Sequence, residues 1–449
     1  MHITNRFNCS GFAPKLKWAA LAAAVMVVSP LLAVAVAYPA EAQESRGKSI
    51  GSQEDPVNRL NEIQERRQDR DFLIQSDPLK TYRQGLDDWQ QSLYDRTGLR
   101  LGATLTHVVQ GVTDTFPDAD DIGVAGTASI VGSWELANRG SPTQGELVFG
   151  IEGRWDYGTT GPEALGFESI GSGIGTADTF DKYAPRIILR EIFWRQGSPE
   201  AGWSYRIGKI TPDGILAASD YFDSTSAFLP TGSTGANAIG FPDSGIGIIG
   251  AWYPNSNFRI AALISDANAD RFDTFKYSGG EFFKAIEFQA HLLPPRSDDA
   301  GYSTLTFWHT DGTEDGLPIN GSSGEDGAGV FLKIEEPLTR DGRNIGIFRY
   351  GKSFDGAALL YKQQASIHYV RKDPGDPFGL KNDLLGLAVN WIDPEDPTAQ
   401  EEYDFEAFYR MPLAPTLDLS VAYQAIFDPA FNPDIDVSHV FSLRLRKTF

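Results

Sequence analysis

The sequence predicts an all-β protein, a transmembrane antiparallel β-barrel of 16 strands with a short N-terminal helical segment. Three observations lead to this fold class: a final strand with one apolar and one polar face, a series of segments with period-two alternation, and connections of alternating length. In a barrel between lipid and water, apolar and polar residues alternate along every strand. The 449 residues divide into three predicted parts: 1–42, 43–98 and 99–449.

Residues 1–42 have the pattern of a secretory signal sequence. Basic residues precede an apolar stretch over 19–37, and Ala40 and Ala42 flank a small-x-small cleavage site. A transmembrane anchor is the alternative, because the stretch is nearly long enough to span a bilayer. Pro30 inside it and the cleavage motif after it favour removal near Ala42. We therefore expect an exported protein.

Composition excludes several classes of function. Cys9, the single cysteine, lies in the predicted signal, so the mature chain is expected to have no disulfide, thiolate metal site or cysteine nucleophile. The formal net charge of −21 argues against nucleic-acid binding, which needs clustered Lys and Arg. Because no nucleophile elbow, zinc-binding helix motif or phosphate loop is present, we expect neither an enzyme nor a bound cofactor.

Residues 43–98 are expected to form a periplasmic or lumenal segment with helices, or else a small soluble packing element. Residues 57–72 have weak helical character. Further on, apolar residues recur with the period of one helix face: Tyr82, Leu86, Trp89 and Leu93. Gly98 is a suitable C-terminal cap for this second helix.

From residue 99 onward the pattern changes to segments with period-two alternation, separated by turn residues. Their lengths suit tilted strands that cross a bilayer, and their number is even, as in closed bacterial barrels. The predicted strands are 99–112, 126–137, 145–156, 185–196, 202–210, 245–253, 257–266, 281–292, 301–311, 327–335, 344–352, 363–371, 383–392, 401–412, 416–427 and 437–449.

The connections and the tryptophans support a membrane barrel. Connections after odd-numbered strands are mostly long, with 211–244 the longest, and those after even-numbered strands are mostly short; 336–343, 372–382 and 393–400 depart from this. Outer-membrane barrels have long external loops and short periplasmic turns. Seven tryptophans lie near predicted strand ends, where an interfacial aromatic girdle is expected: Trp134, Trp155, Trp194, Trp203, Trp252, Trp308 and Trp391.

Strand parity separates residues that face lipid from residues that face the lumen. In the last strand Phe441, Leu443 and Leu445 share one face, and the strand ends in Phe449, through which we expect contact with the barrel-assembly machinery. Parity predicts a lumenal, solute-contacting position for nine charged residues: Glu152, Arg154, Arg206, Glu287, Lys333, Arg349, Glu406, Arg410 and Arg444. A generic salt-bridged lumen wall is the alternative interpretation of these residues.

Several short pieces occur in the order typical of the carbohydrate-selective porins of the OprB type. They are residues 89–101, 190–194, 206–209, 220–224, 240–242, 245–247, 331–338, 346–351 and 405–449. The chain resembles that family over roughly residues 80–449. The resemblance implies a 16-stranded barrel in the outer membrane of a Gram-negative-type bacterium, through which sugars diffuse passively into the periplasm.

Other functions stay open at this point. The acidic balance of the chain is also typical of a cation-preferring general porin. A barrel enzyme would need an outward Ser/His or a rim Asp/His pair, and a secreted β-sandwich enzyme would need neither alternating loops nor girdle tryptophans. The sequence does not decide between a monomer and a trimer.

Overall fold

In the computed structural model, the described residues are 56–65, 72–74, 76–183, 187–277, 280–292, 301–312, 326–354, 357–358, 360–374, 380 and 382–449. The predicted signal sequence lies outside them. The described residues form a closed barrel of sixteen strands, each paired antiparallel with its neighbours in sequence. The barrel closes where β1 pairs with β16, with Thr104 opposite Thr448 and Val112 opposite Val440. The predicted fold class is confirmed.

All sixteen predicted strands are present, most with ends within two residues of the expected ones. β2 begins four residues before its expected start at 126 and is the longest strand. The strands are β1 Leu99–Val112, β2 Ile122–Ala137, β3 Gly145–Asp156, β4 Ile187–Ser198, β5 Trp203–Ile210, β6 Gly245–Asn255, β7 Phe258–Asp266, β8 Phe282–Ala290, β9 Ser303–Thr310, β10 Gly327–Pro337, β11 Asn344–Phe354, β12 Tyr361–Lys372, β13 Leu384–Pro394, β14 Glu402–Ala414, β15 Leu417–Phe427 and β16 Val437–Thr448.

Two helices precede the barrel, α1 (Pro56–Glu65) and α2 (Asp77–Thr97). Gly98 caps α2 as the sequence predicts: its φ of 76° is left-handed, and its N–H donates to the Tyr94 carbonyl. Short helices α3 (Pro162–Ala164) and α4 (Thr231–Thr234) occur in the long loops, with a π-helical turn at Leu165–Ile170 and a 3-10 turn at Pro212–Gly214. Among the described residues, no helix is both long and apolar enough to span a membrane.

The two faces of the strands have opposite polarity. Large apolar side chains are exposed on the outside, as at Ile130, Ile248 and Val421, while charged residues between them are buried inside. In β16, Phe441, Leu443 and Leu445 are exposed, and the intervening Arg444 and Arg446 are each only 1% exposed. An apolar outer surface around a polar interior is the reverse of a soluble β-sandwich and is the pattern of a barrel in lipid.

Three of the predicted girdle tryptophans are exposed at one rim of the barrel, and a fourth lies inside it. Trp134, Trp203 and Trp252 are exposed on the outer face at the rim where the short turns lie. The girdle interpretation is wrong for Trp308, which is 3% exposed and packs inside the barrel against Phe283. Its inward parity follows from Phe307, the exposed neighbour that takes the outward position.

α1 lies inside the barrel against β1, β2, β3 and β16. Leu60 and Ile63 pack on Val131, and the Glu62 carboxylate accepts two hydrogen bonds from Arg446 at 2.7 and 2.8 Å. The N-terminal segment is therefore lumenal at α1. α2 instead contacts the rim of the barrel at β1 and β2.

Candidate solute pathway inside the barrel

Two long loops fold into the barrel: the β3–β4 loop, described over residues 157–183, and the β5–β6 loop, residues 211–244. Nearly every residue of the β5–β6 loop is buried. Part of it packs on an apolar patch of the inner wall that includes Phe193, Phe283 and Phe331. The long Gly- and Ser-rich connection seen in the sequence therefore narrows the lumen.

Wall residues hold the β5–β6 loop by its backbone. Arg349 donates to the carbonyls of Gly232 at 2.6 Å and Gly235 at 3.1 Å. Lys333 donates to Ala218 O at 2.5 Å. Loop backbone inside a barrel must find hydrogen-bond partners there, and charged side chains supply strong ones.

Four other wall residues, two basic and two acidic, also form hydrogen bonds with the backbone of the β5–β6 loop. Arg444 donates to Ser224 O at 2.6 Å, and Arg410 donates to Ser226 O at 2.8 Å. The carboxylates accept instead: Glu287 accepts from Ala217 N at 2.7 Å, and Glu406 accepts from Leu229 N at 2.9 Å. Six of the nine residues predicted by parity thus face inward and hold the loop.

The other three predicted residues lie on β3 and β5. Arg206 is 2% exposed, with its guanidinium 5.2 Å from the centre of the Phe193 ring. Arg154 Nε donates to Glu152 Oε1 at 2.6 Å, and Tyr183 OH of the β3–β4 loop donates to the same oxygen at 2.8 Å. The structure therefore brings Glu152 and Arg154 together and separates them from the loop-holding six.

The β3–β4 loop crosses the lumen beside the β5–β6 loop. Gln110 and Gln424 both donate to the Thr176 carbonyl, at 3.0 and 2.8 Å. Between the loops, Asp178 N donates to Leu229 O at 2.8 Å and Thr231 N donates to Gly175 O at 2.9 Å. The two loops form one hydrogen-bonded layer inside the barrel.

A cavity of about 230 Å³ lies between these loops. One water needs roughly 10–15 Å³ of such space, so the cavity can hold a small polar molecule. Its lining includes three carboxylates, Glu163, Asp178 and Asp213, and two apolar aromatic rings, Phe167 and Phe222. Carboxylates accept hydrogen bonds from hydroxyl groups, and aromatic faces stack on apolar ring surfaces.

Burial raises the pKa of all three cavity carboxyls. Desolvation is the largest cause for Glu163, Asp178 and Asp213, and neighbouring acids add to it. Arg154 lowers the pKa of Glu163 and Asp178 without cancelling the effect of burial. These carboxyls therefore bind protons at higher pH than ordinary carboxyls do.

Three arginines gather around Tyr183 beside the acidic cavity. The guanidinium carbons of Arg154 and Arg271 lie 4.5 and 5.4 Å from its ring centre. Arg190 donates to the Tyr183 hydroxyl at 3.1 Å. A basic cluster thus lies near the acidic one, and opposite charges placed in this way set up a local electric field.

Sequence reasoning missed the residues that line the cavity. The parity argument applies only to strands, whereas Glu163, Asp178 and Asp213 lie on loops. Arg190 is displaced by a β-bulge between β3 and β4, where Gly150 and Ile151 face Glu191 and Leu189. The only signal for the loop residues was the unusual length of their connections.

The barrel is similar to solved structures of a porin. A high-pH structure of Pseudomonas putida OprB matches with a TM-score of 0.66 and 14% sequence identity, covering 81% of this chain and 97% of that chain. A low-pH structure of the same protein matches with a TM-score of 0.51 and 10% identity, covering 81% and 96%. No protein-family model and no curated protein matches the sequence. At these identities the likeness concerns the fold, so the chain has the porin barrel fold of OprB.

Proposed function

We propose that the protein is an outer-membrane porin, not an enzyme, and that it lets small carbohydrates diffuse passively into the periplasm. The observation that carries this proposal is the cavity in the loop layer, where carboxylates and aromatic rings converge inside a barrel with an apolar exterior. The likeness to the OprB fold and the family resemblance of the sequence support the same function.

Sugars suit the chemistry of this lumen. A sugar is neutral and rich in hydroxyl groups, which can donate hydrogen bonds to Asp178 or Asp213. The apolar face of its ring can stack on Phe222. An ion would need to shed water to pass between fixed charges of both signs.

A cation-preferring general porin is the second candidate. It is favoured by the three carboxylates around the cavity and by the net charge of −21. In this case cations would be concentrated at the cavity, and sugars would pass without a binding step.

Single-channel conductance in a planar bilayer separates the two candidates. We expect a small steady conductance that glucose or maltose blocks in a concentration-dependent manner, and a weaker block in Asp213→Asn. Asp88→Asn removes an equal charge on the exposed surface of α2 and serves as the control. A large cation-selective conductance that is indifferent to sugar would support the general porin, and no conductance at all would contradict both.

We further propose cleavage of the signal near Ala42, lipid contact over the outer barrel face and assembly through the strand ending at Phe449. Whether the protein is a monomer or a trimer can be measured in detergent by light scattering. Recovery of the protein in the soluble periplasmic fraction would contradict this localisation.

A further inference from the structure

α2 carries an apolar surface that the barrel does not cover. Tyr82 and Trp89 are 46% and 49% exposed, and Leu86 and Leu93 complete the same face of the helix. The described residues of α2 include no buried side chain. Exposed aromatic rings along one stripe of a 21-residue helix indicate a surface that contacts a partner or a membrane.

A different line of residues attaches α2 to the barrel rim. Gln90 Nε2 donates to Leu101 O at 2.8 Å, and Tyr94 OH donates to Glu135 at 3.0 Å. The Thr97 carbonyl accepts from Trp134 Nε1 at 3.0 Å. At about 100° per residue, the line through positions 90 and 94 lies roughly 90° around the helix from the apolar stripe. The apolar stripe therefore does not face the rim residues to which α2 is hydrogen-bonded.

Contacts at both ends of α2 show that its apolar stripe lies on the outer side of the barrel. Lys447 Nζ, on the outer face of β16, lies 5.2 Å from the centre of the Tyr82 ring. At the other end, Trp134 is an exposed outer-face ring of β2. Leu73 and Ile74, just before α2, are also exposed and donate from their backbones to the end of β14. The apolar stripe is thus continuous with the outer surface of the barrel.

We infer that α2 lies in the interface of the lipid bilayer at the short-turn rim, with Tyr82, Leu86, Trp89 and Leu93 inserted among the lipids. This inference rests on the proposed function, because it requires the barrel to be in a membrane. Amphipathic rings are enriched at the headgroup level, and an interfacial helix buries its apolar face there. The opposite side of α2 carries Asp88 and Asp95, which stay in water.

The inference is tested with fluorophores on single cysteines in the chain produced from Gln43 onward, which leaves out Cys9. Trp89→Cys and Leu86→Cys report on the stripe, and Asp88→Cys reports on the opposite side. Val421→Cys, at an exposed mid-strand position of β15, reports on the barrel wall. Each variant is labelled with an environment-sensitive dye and reconstituted into phosphatidylcholine–phosphatidylglycerol vesicles, with or without nitroxide-labelled lipids. Heat-modifiable migration confirms that each barrel is folded.

We expect blue-shifted emission and strong quenching by shallow nitroxides at positions 86 and 89, quenching by deep nitroxides at 421, and little quenching at 88. If 421 is quenched while 86 and 89 behave like 88, the helix inference is overturned and the membrane barrel stands. If 421 is not quenched in folded protein, the proposed function fails and the helix inference with it.

Discussion

Replacing Arg349 with Met removes the side chain that holds residues 232–235 of the β5–β6 loop against the wall. Arg349 is fully buried and donates to Gly232 O, to Gly235 O and to Ser366. Gln364 also donates to Gly235 O, at 3.1 Å, so only Gly232 O loses its side-chain donor. Hydrogen bonds from charged groups contribute roughly 1.5–3 kcal/mol each. We expect local opening to become about 3 kcal/mol easier, which is roughly a hundredfold in population.

Amide hydrogen exchange in detergent micelles measures this opening directly. Peptides that cover residues 231–236 should exchange about a hundredfold faster in Arg349→Met, while the strands keep their protection. Open-channel noise should rise as well, because this segment lines the cavity. Arg371→Met makes the same charge change at an exposed position of β12 and is the matched control.

The reasoning is refuted if Arg349→Met and Arg371→Met exchange alike within residues 211–244. That result would mean that the apolar packing of the loop, not its hydrogen bonds to the wall, keeps it in place. Loss of heat-modifiable migration would show a general folding defect, and Arg349→Lys, which keeps the charge, then separates the two effects.

Three further predictions concern the lumen. Glu62→Ala removes the partner of Arg446, so α1 should loosen and single-channel conductance should rise; an unchanged conductance would show that α1 does not limit flow. Gly102→Leu should also raise conductance, because even an added Cβ would lie only 2.8 Å from Ile63 Cδ1 and a leucine side chain would displace α1. Raised pKa values at Glu163 and Asp178 predict that cation selectivity falls with decreasing pH before ordinary carboxyls titrate. The Glu163→Gln/Asp178→Asn variant should lose this step in reversal-potential measurements, and a step that persists would assign it elsewhere.

Strand parity predicted the barrel well because period-two alternation is a local property of the chain. It placed Glu287, Arg349 and Glu406 on the inner face, where they are completely buried. It could not predict what they bind, because their partners lie 70, 117 and 177 residues away on a loop without regular periodicity. The girdle prediction for Trp308 was wrong for a related reason: a position near a strand end does not determine on which face of the strand a ring lies.

The same raised pKa values couple the cavity to the stability of the loop layer. A carboxyl whose pKa is higher in the folded state favours the protonated form there, so its contribution is present at low pH and is lost as pH rises through the folded pKa. Glu163 and Asp178 therefore hold the loops less firmly when they are ionised, the state in which they attract cations. The anchors on the wall, such as Arg444 at Ser224 O, offset this cost. Under the proposed function, we therefore expect the six loop-holding wall residues to act on solutes indirectly, by keeping an acidic loop layer inside the barrel, and we expect the loop carboxyls to set selectivity.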